Sequence, residues 1–243
     1  MFKFIKVPVA VALLAAGAAA NAGLVIDDFS VDQNFISDNT IGGSGTWATQ
    51  AGPSSSIIGG YRDLYVEKTS GNSSSALDVS AGVTGGSLFY SQDSGVGATG
   101  LVRWDGSSSA STIDVDGLVT APNVGEDLSA SGIAIRVAVN SADLGFPITL
   151  QAWTFDGTSY VMSQVTQVAS AGPGYYDFTF ASFAGADFSN VGALQLVLNN
   201  LGTISALDIE IDIIQSVPEP TSLALVGLAL AGAGLALRRR QNA

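Results

Sequence analysis

The chain has 243 residues, no cysteine, no histidine and a net charge of −12. Without histidine or cysteine it has no serine–histidine triad, no cysteine–histidine pair and no typical zinc or copper site. Residues 23–216 hold four basic against 20 acidic residues, a net charge of −16. Nucleic-acid binding is therefore excluded, because phosphate neutralisation needs clustered lysine and arginine.

Residues 1–22 have the pattern of a secretory signal peptide. Lys3 and Lys6 give a positive start, an apolar run follows, and Ala20-Asn21-Ala22 is a small-x-small cleavage site. We predict export through the Sec translocon and cutting by signal peptidase, so that the mature chain begins at Gly23.

Residues 23–216 are predicted to form one β-rich domain, because their apolar residues recur every second position. This alternation predicts half-buried strands at 133–139 and 207–213. Val197 interrupts the polar side of 194–198, which predicts a strand buried on both faces. Further strands are predicted at 24–29, 61–68, 86–91, 97–104, 111–116, 147–155, 158–167 and 174–180.

The turn signals favour an all-β fold, a single antiparallel β-sandwich with a jelly roll as the leading topology. Asp156-Gly157 predicts a hairpin between two of the strands. The glycine- and serine-rich residues 34–60 are interpreted as a long surface loop. We expect the first strand, near Asp27, to lie close to the last strand, at 208–214.

The C-terminal residues 217–243 have three consecutive parts. Val217-Pro218-Glu219-Pro220-Thr221 is kept extended by its prolines, and residues 222–237 are uncharged and apolar. A sixteen-residue helix spans about 24 Å, against roughly 30 Å of bilayer hydrocarbon. We predict a short transmembrane helix acting as a transient anchor. Its cytoplasmic stop would be the basic cluster Arg238, Arg239 and Arg240.

This tail resembles the PEP-CTERM sorting signal of Gram-negative, polysaccharide-secreting bacteria. The resemblance implies recognition at Val217 to Pro220 by an exosortase, a membrane-embedded cysteine protease-transpeptidase. The expected location is a membrane-anchored precursor, exported across the inner membrane and then delivered to the cell surface or the extracellular space. Segments 59–64, 91–95 and 102–106 are similar to a recurrent set of exported β-sandwiches of unknown function that carry the same tail.

The sequence suggests two kinds of binding site, one for sugars and one for calcium. Exposed aromatic rings could stack on sugars, and the foremost of them are Trp104, Trp153 and Tyr160, with Trp47, Tyr61 and Tyr65 as further members. Oxygen ligands suit calcium. The resemblance to carbohydrate-binding jelly rolls, which often hold structural calcium between the first and last strands, implies Asp27, Asp28 and Asp212 as ligands. No other cofactor is predicted.

Carboxylates offer the one catalytic alternative. Asp208, Glu210 and Asp212 are expected on one strand face, with about 6.6 Å between consecutive members. This spacing matches the distance between the two catalytic carboxyl groups of a glycosidase only loosely. Arg62-Asp63 is interpreted as a local ion pair or a structural arginine. The preferred hypothesis is therefore a non-enzymatic, exported protein of an exopolysaccharide or biofilm layer. A carbohydrate-binding module and a carboxylate-based glycan-cleaving enzyme are the alternatives.

Overall fold

The computed structural model describes residues 23–199 and 204–218. Residues 23–217 form one compact unit. In the described part, no helix is long and apolar enough to cross a membrane.

Several predictions fall on residues outside the described part. They concern the signal peptide at 1–22, the membrane helix at 222–237, the second half of the sorting motif and the basic stop. The individual residues concerned are Ala20, Ala22, Glu219, Pro220, Arg238, Arg239 and Arg240. Gly23, the predicted first residue of the mature chain, begins the described part.

The described residues contain thirteen strands and two short 3₁₀ turns, Ile58–Gly60 and Phe180–Ser182. The strands are β1 Val25–Asp27, β2 Gln33–Asp38, β3 Thr46–Ala51, β4 Tyr61–Gly71, β5 Val79–Thr84, β6 Ser87–Gln92, β7 Val96–Trp104, β8 Ala134–Ala142, β9 Phe146–Phe155, β10 Tyr160–Ala169, β11 Gly174–Thr179, β12 Val191–Leu198 and β13 Asp208–Val217.

These strands form two antiparallel sheets. The seven-stranded sheet has the order β11-β8-β13-β6-β5-β2, with β1 paired to β13, and the six-stranded sheet has the order β10-β9-β12-β7-β4-β3. Apolar side chains from both sheets, such as Leu64, Val137 and Leu196, form one buried core. The predicted β-sandwich is confirmed. In the absence of disulfides this core provides the main stabilisation, since each buried large aliphatic side chain contributes about 1.5–3 kcal/mol.

The strand pairing is that of a jelly roll. In the six-stranded sheet, β9 pairs with β10 and β7 pairs with β12. In the seven-stranded sheet, β8 pairs with β11 and β6 pairs with β13. These four nested pairs alternate between the sheets, as in two stacked Greek keys. Strands β2 to β5 extend both sheets at their margins, whereas β1 pairs with the C-terminal part of β13, beyond the part that pairs with β6. The predicted adjacency of the first and last strands is confirmed, because Val25 pairs with Gln215 and Asp27 with Ile214.

Several local predictions have clear outcomes. The Asp156-Gly157 hairpin is confirmed, with Asp156 N–H donating to the carbonyl of Ser159. Strand β12 is buried along its whole length, as Val197 indicated. The predicted loop at 34–60 is wrong in part, because it contains most of β2 and all of β3. Strand β5 is not predicted either, although buried apolar residues alternate along it at Val79, Ala81 and Val83.

The two strands missed within residues 34–60 are polar ones. Gln33 and Asp38 of β2 are buried, and their polar atoms are satisfied by Arg62 and by the backbone of Lys68. A strand of this kind lacks the apolar alternation on which the prediction rests. Conversely, residues 111–116 alternate but form turns rather than a strand, with the N–H of Asp114 held by the carboxylate of Asp105.

A β-bulge changes the face of the last strand. The register of β13 against β8 shifts on both sides of Ile211, so the next core residue is Ile214 rather than Ile213. The extra residue is Asp212, which is exposed. The alternation of 207–213 therefore predicts the strand correctly and misplaces the side chain of Ile213.

Candidate functional site

Of the three foremost aromatic residues, the structure buries one and leaves the other two half-buried. Trp104 is fully buried in the core, and its indole N–H donates to Oδ2 of Asp27 at 2.8 Å, so it cannot stack on a sugar. Trp153 is half-buried on the outer face of the six-stranded sheet. Tyr160 lies nearby at the start of β10, with its ring 5.3 Å from that of Phe155 and its hydroxyl bonded to Asn190.

The three carboxylates proposed for calcium do not form a metal-binding group. Asp27 is buried against Arg62, and Asp28 accepts a hydrogen bond from the N–H of Ser30. Asp212 lies on the bulge of β13. Within the described residues no group of three carboxylates is arranged to hold a metal ion. The expected calcium ligand Asp27 is instead the partner of a buried cation.

Arg62 is a structural arginine, as one of the two interpretations stated. Its guanidinium contacts Asp27 at 3.0 Å, the amide oxygen of Gln33 at 2.9 Å and the carbonyl of Val31 at 2.6 Å. Asp63 points to the opposite side of β4, where Thr49 donates to it at 2.6 Å. The alternative of a local Arg62–Asp63 pair is excluded, because neighbouring residues of a strand face opposite sides.

A line of polar side chains crosses the outer face of the six-stranded sheet. Strand register places one member on each strand, directly opposite the next. We call this line the polar row, and over five strand spacings it extends about 24 Å. Its members, in order from β10 to β3, are Gln164, Gln151, Gln195, Arg103, Asp63 and Thr49.

Hydrogen bonds in the first part of the polar row all run in one direction. Arg103 Nε donates to Gln195 Oε1 at 2.9 Å, Gln195 Nε2 donates to Gln151 Oε1 at 2.7 Å, and Gln151 Nε2 donates to Gln164 Oε1 at 2.8 Å. Such a chain fixes the orientation of every amide, and its members polarise one another. Gln195 and Arg103 are buried, whereas Gln151 is half-buried and Gln164 is exposed. The buried end therefore holds the accessible end in place.

Arg103 is held from two sides. Its guanidinium carbon lies 4.6 Å from the ring centre of Trp47, and Nη1 reaches the carbonyl of Ala110 at 3.4 Å. Asp63 stands opposite Arg103 on β4. Burial raises the pKa of Asp63 to about 6, against the lowering effect of the hydrogen bond from Thr49. Its Oδ2 has no hydrogen-bond partner among the described residues.

Aromatic rings flank the polar row on both sides. Trp153 lies two residues beyond Gln151 on β9 and faces Met162 of β10. Trp47 and Tyr65 lie on the other side of the row, with ring centres 4.4 Å apart. The accessible amides of Gln151 and Gln164 thus lie directly beside the half-buried indole of Trp153.

The segment between β7 and β8 borders this face on the Trp153 side. Leu118 N–H donates to the carbonyl of Gly192 at 2.9 Å. A side chain on Gly192 would meet the carbonyl of Val115 and the ring of Tyr160. Glycine at this position therefore allows the segment to lie against β12.

Comparison with known proteins identifies the tail. Residues 216–240 match the family model described as the PEP-CTERM protein-sorting motif. The chain carries a PEP-CTERM sorting motif. The resemblance drawn from the Pro-Glu-Pro, apolar and basic segments is confirmed. Of the matched residues, Ser216, Val217 and Pro218 belong to the described part of the chain, with Val217 ending β13. No curated protein matches the sequence.

Solved structures similar to this chain include three carbohydrate-binding modules. The family 11 carbohydrate-binding module of the cellulosomal cellulase Lic26A-Cel5E of Clostridium thermocellum is 11% identical, with a TM-score of 0.39 over 83% of this chain and 99% of that one. A family 11 module from Clostridium thermocellum in complex with a beta-1,3-1,4-mixed-linked tetrasaccharide is 10% identical, with a TM-score of 0.31 over 78% and 98%. A family 30 carbohydrate-binding module is 12% identical, with a TM-score of 0.32 over 82% and 89%.

Proposed function

We propose that this chain is an exported, non-enzymatic protein of the extracellular polysaccharide layer, and that it binds a neutral polysaccharide on the outer face of its six-stranded sheet. The PEP-CTERM motif supports the first part, with an exosortase as the processing partner. The single observation that carries the second part is the hydrogen-bonded polar row beside Trp153.

The amides of the polar row suit hydroxyl groups. Gln151 uses one N–H and one lone pair within the row, which leaves one donor and one acceptor for a ligand. Gln164 accepts one hydrogen bond from Gln151 and keeps both of its N–H donors. A sugar hydroxyl both donates and accepts, so it can pair with each amide at once.

The flanking indole supplies the second kind of contact. Trp153 presents apolar ring surface next to the amides, and the apolar face of a sugar ring can lie on it. The net charge of −16 on residues 23–216 disfavours anionic chains such as polyuronates, because like charges repel. A neutral polysaccharide is therefore the preferred ligand.

The contacts do not favour the hydrolase alternative. Glu210 accepts hydrogen bonds from Ser87 at 2.9 Å and from Asn140 at 3.3 Å, and Asp208 accepts one from Ser91. These carboxylates lie on β13, in the other sheet from the polar row. Their hydrogen bonds join neighbouring strands and account for their positions without a catalytic role.

Binding is tested by affinity electrophoresis of the processed protein in gels containing barley β-glucan, galactomannan, dextran or alginate. We expect retardation by at least one neutral polymer and none by alginate. Gln151→Ala should weaken binding about tenfold, the effect of losing roughly 1.4 kcal/mol of hydrogen bonding. Gln167→Ala is the matched control, because this side chain of β10 donates to the carbonyl of Asp177 instead.

Two results would count against this site. Equal mobility of the protein in every gel would remove the polysaccharide-binding proposal. If Trp153→Ala left an observed affinity unchanged, Trp153 would no longer belong to the site.

Sorting is tested by fractionating cells with and without the exosortase gene. We expect a smaller, released form in its presence and a membrane-bound precursor in its absence. The same mass in the same fraction from both strains would show that exosortase does not process this chain.

A further inference from the structure

The outer face of the seven-stranded sheet carries a shallow depression of about 320 Å³. It lies over β8, β11 and the bulge of β13, and its lining residues include Ala138, Asn140, Pro173, Gly174, Tyr175 and Asp212. The polar row lies on the outer face of the other sheet, so the two surfaces face away from each other across the core.

The aromatic wall of this depression is Tyr175, which is 73% exposed. The guanidinium carbon of Arg136 lies 5.0 Å from its ring centre. Arg136 is in turn fixed by Asp177, through contacts of 2.7 and 2.8 Å from Nε and Nη2. One side of the ring is thus supported by an ion pair, which preorganises an exposed apolar surface without burying it.

The floor of the depression is small and its far side is polar. Ala138 stands directly opposite Tyr175 in the β8–β11 register, so only a methyl group projects from β8 at this position. The carboxylate of Asp212 is exposed at the β-bulge, and none of the described residues forms a hydrogen bond or ion pair with it. Asn140 donates one hydrogen bond, to Glu210, and keeps its oxygen and its second N–H.

We infer that this depression is a second sugar-binding site, which holds one neutral sugar unit against Tyr175 with its hydroxyls directed to Asp212 and Asn140. The charge around it favours a neutral unit, because the cation Arg136 is already paired and Asp212 and Glu210 are acidic. Aromatic surface with a few convergent polar groups is the usual composition of a small-ligand site.

Two sugar sites on opposite faces would make the protein a cross-linker of polysaccharide chains. This inference rests on the proposed function, since the first chain is held by the polar row. A monomer with only one of these sites could not join two polysaccharide chains.

Light scattering of the processed protein mixed with barley β-glucan, galactomannan or dextran separates the two sites. The wild-type protein should increase the scattering of the polymer that it binds. Tyr175→Ala should abolish this increase yet keep the mobility shift due to the polar row, whereas Tyr175→Phe, which retains the ring, should scatter like the wild type.

The other outcomes are distinguishable. If Tyr175→Ala cross-links as well as the wild type, the second site is wrong and the proposed function stands. If Tyr175→Ala and Tyr175→Phe lose cross-linking equally, stacking on the ring is wrong. If the wild-type protein is retarded in the polysaccharide gels but does not increase the light scattering of the polymer, there is no second site. If no neutral polymer is bound at all, both proposals fall.

Discussion

The guanidinium of Arg62 and the carboxylate of Asp27 lie 3.0 Å apart, and neither side chain is exposed to solvent. Arg62 belongs to β4 of the six-stranded sheet, and Asp27 belongs to β1 of the seven-stranded sheet. The pair therefore joins the two layers across the core. Trp104 and the N–H of Phe29 also donate to Asp27, so this carboxylate is satisfied from three directions.

Removing the cation should destabilise the protein strongly. Arg62→Met keeps most of the apolar stem but leaves Asp27 as a buried, unpaired charge, so we expect a loss of about 3–5 kcal/mol in the free energy of unfolding. Urea denaturation followed by tryptophan fluorescence measures it. The matched control is Arg136→Met, which breaks the exposed pair with Asp177 and should cost about 0–1 kcal/mol. Equal losses in the two variants would contradict a special role for the buried pair.

Trp104 should act on stability and not on sugar binding. Trp104→Phe removes the N–H that donates to the buried Asp27 carboxylate, so the free energy of unfolding should fall by about 1.5–3 kcal/mol. Trp153→Phe, on the outer face, should change it by about 0.5 kcal/mol or less. The same denaturation experiment compares the two. A weakened affinity for polysaccharide in a folded Trp104→Phe protein would show that the core assignment misses a functional contact.

Asp63 should make stability depend on pH. Burial raises its pKa to about 6 in the folded protein, so the folded state favours the protonated carboxyl. The stability that Asp63 contributes through its raised pKa is fully present below the pKa of this carboxyl in the unfolded chain. It is lost as the pH rises through about 6. Arg103 opposes the shift, and Asp105 adds to it.

Asp63→Asn, which does not titrate, isolates this effect. Relative to the wild type, the variant should become progressively more stable between about pH 4 and pH 7 in urea denaturation. A constant difference across that range would mean that Asp63 has an ordinary pKa. Asp156→Asn is a control of opposite sign, because backbone hydrogen bonds from Ser159 and Thr158 lower the pKa of this exposed carboxyl. This variant should not gain stability relative to the wild type as the pH rises.

Gly192 should be needed for the border of the sugar-binding face. Gly192→Ala forces a methyl group against the carbonyl of Val115, so the β7–β8 segment must move away from β12. We expect a several-fold loss of polysaccharide affinity with a modest loss of stability, about 1–3 kcal/mol. Affinity electrophoresis and urea denaturation measure the two effects. Gly85→Ala, at an open turn position with a positive φ, controls for the general cost of replacing a glycine.

The positions of most strands follow from the sequence, because burial of one face imposes a period of two on the side chains. This period predicts β8, β9 and β13 correctly, because apolar and polar residues alternate there. It fails for β2 and β3, whose strand pairing relies on satisfied polar groups and on a half-exposed sheet margin. It also cannot locate a bulge, so the alternation wrongly places Ile213 in the core.

The polar row could not be found from sequence. Its six members lie on six strands between residues 49 and 195, and only antiparallel register places them opposite one another. The one visible signal is a polar residue in the middle of a strand, as at Gln151, Gln164 and Gln195. The same limitation applies to Trp104 and Trp153, which both lie near strand ends but face opposite surfaces of the six-stranded sheet.

By itself, the sequence determined the sorting tail, the β-rich class and the lack of histidine and cysteine chemistry, because these depend on composition and on contiguous residues. Tertiary structure alone decided that Asp27 pairs with Arg62 across the core. It also aligned Gln164, Gln151, Gln195 and Arg103 and supported Tyr175 on Arg136. Such relationships depend on register and on the packing of two sheets, which bring together residues that lie far apart along the chain.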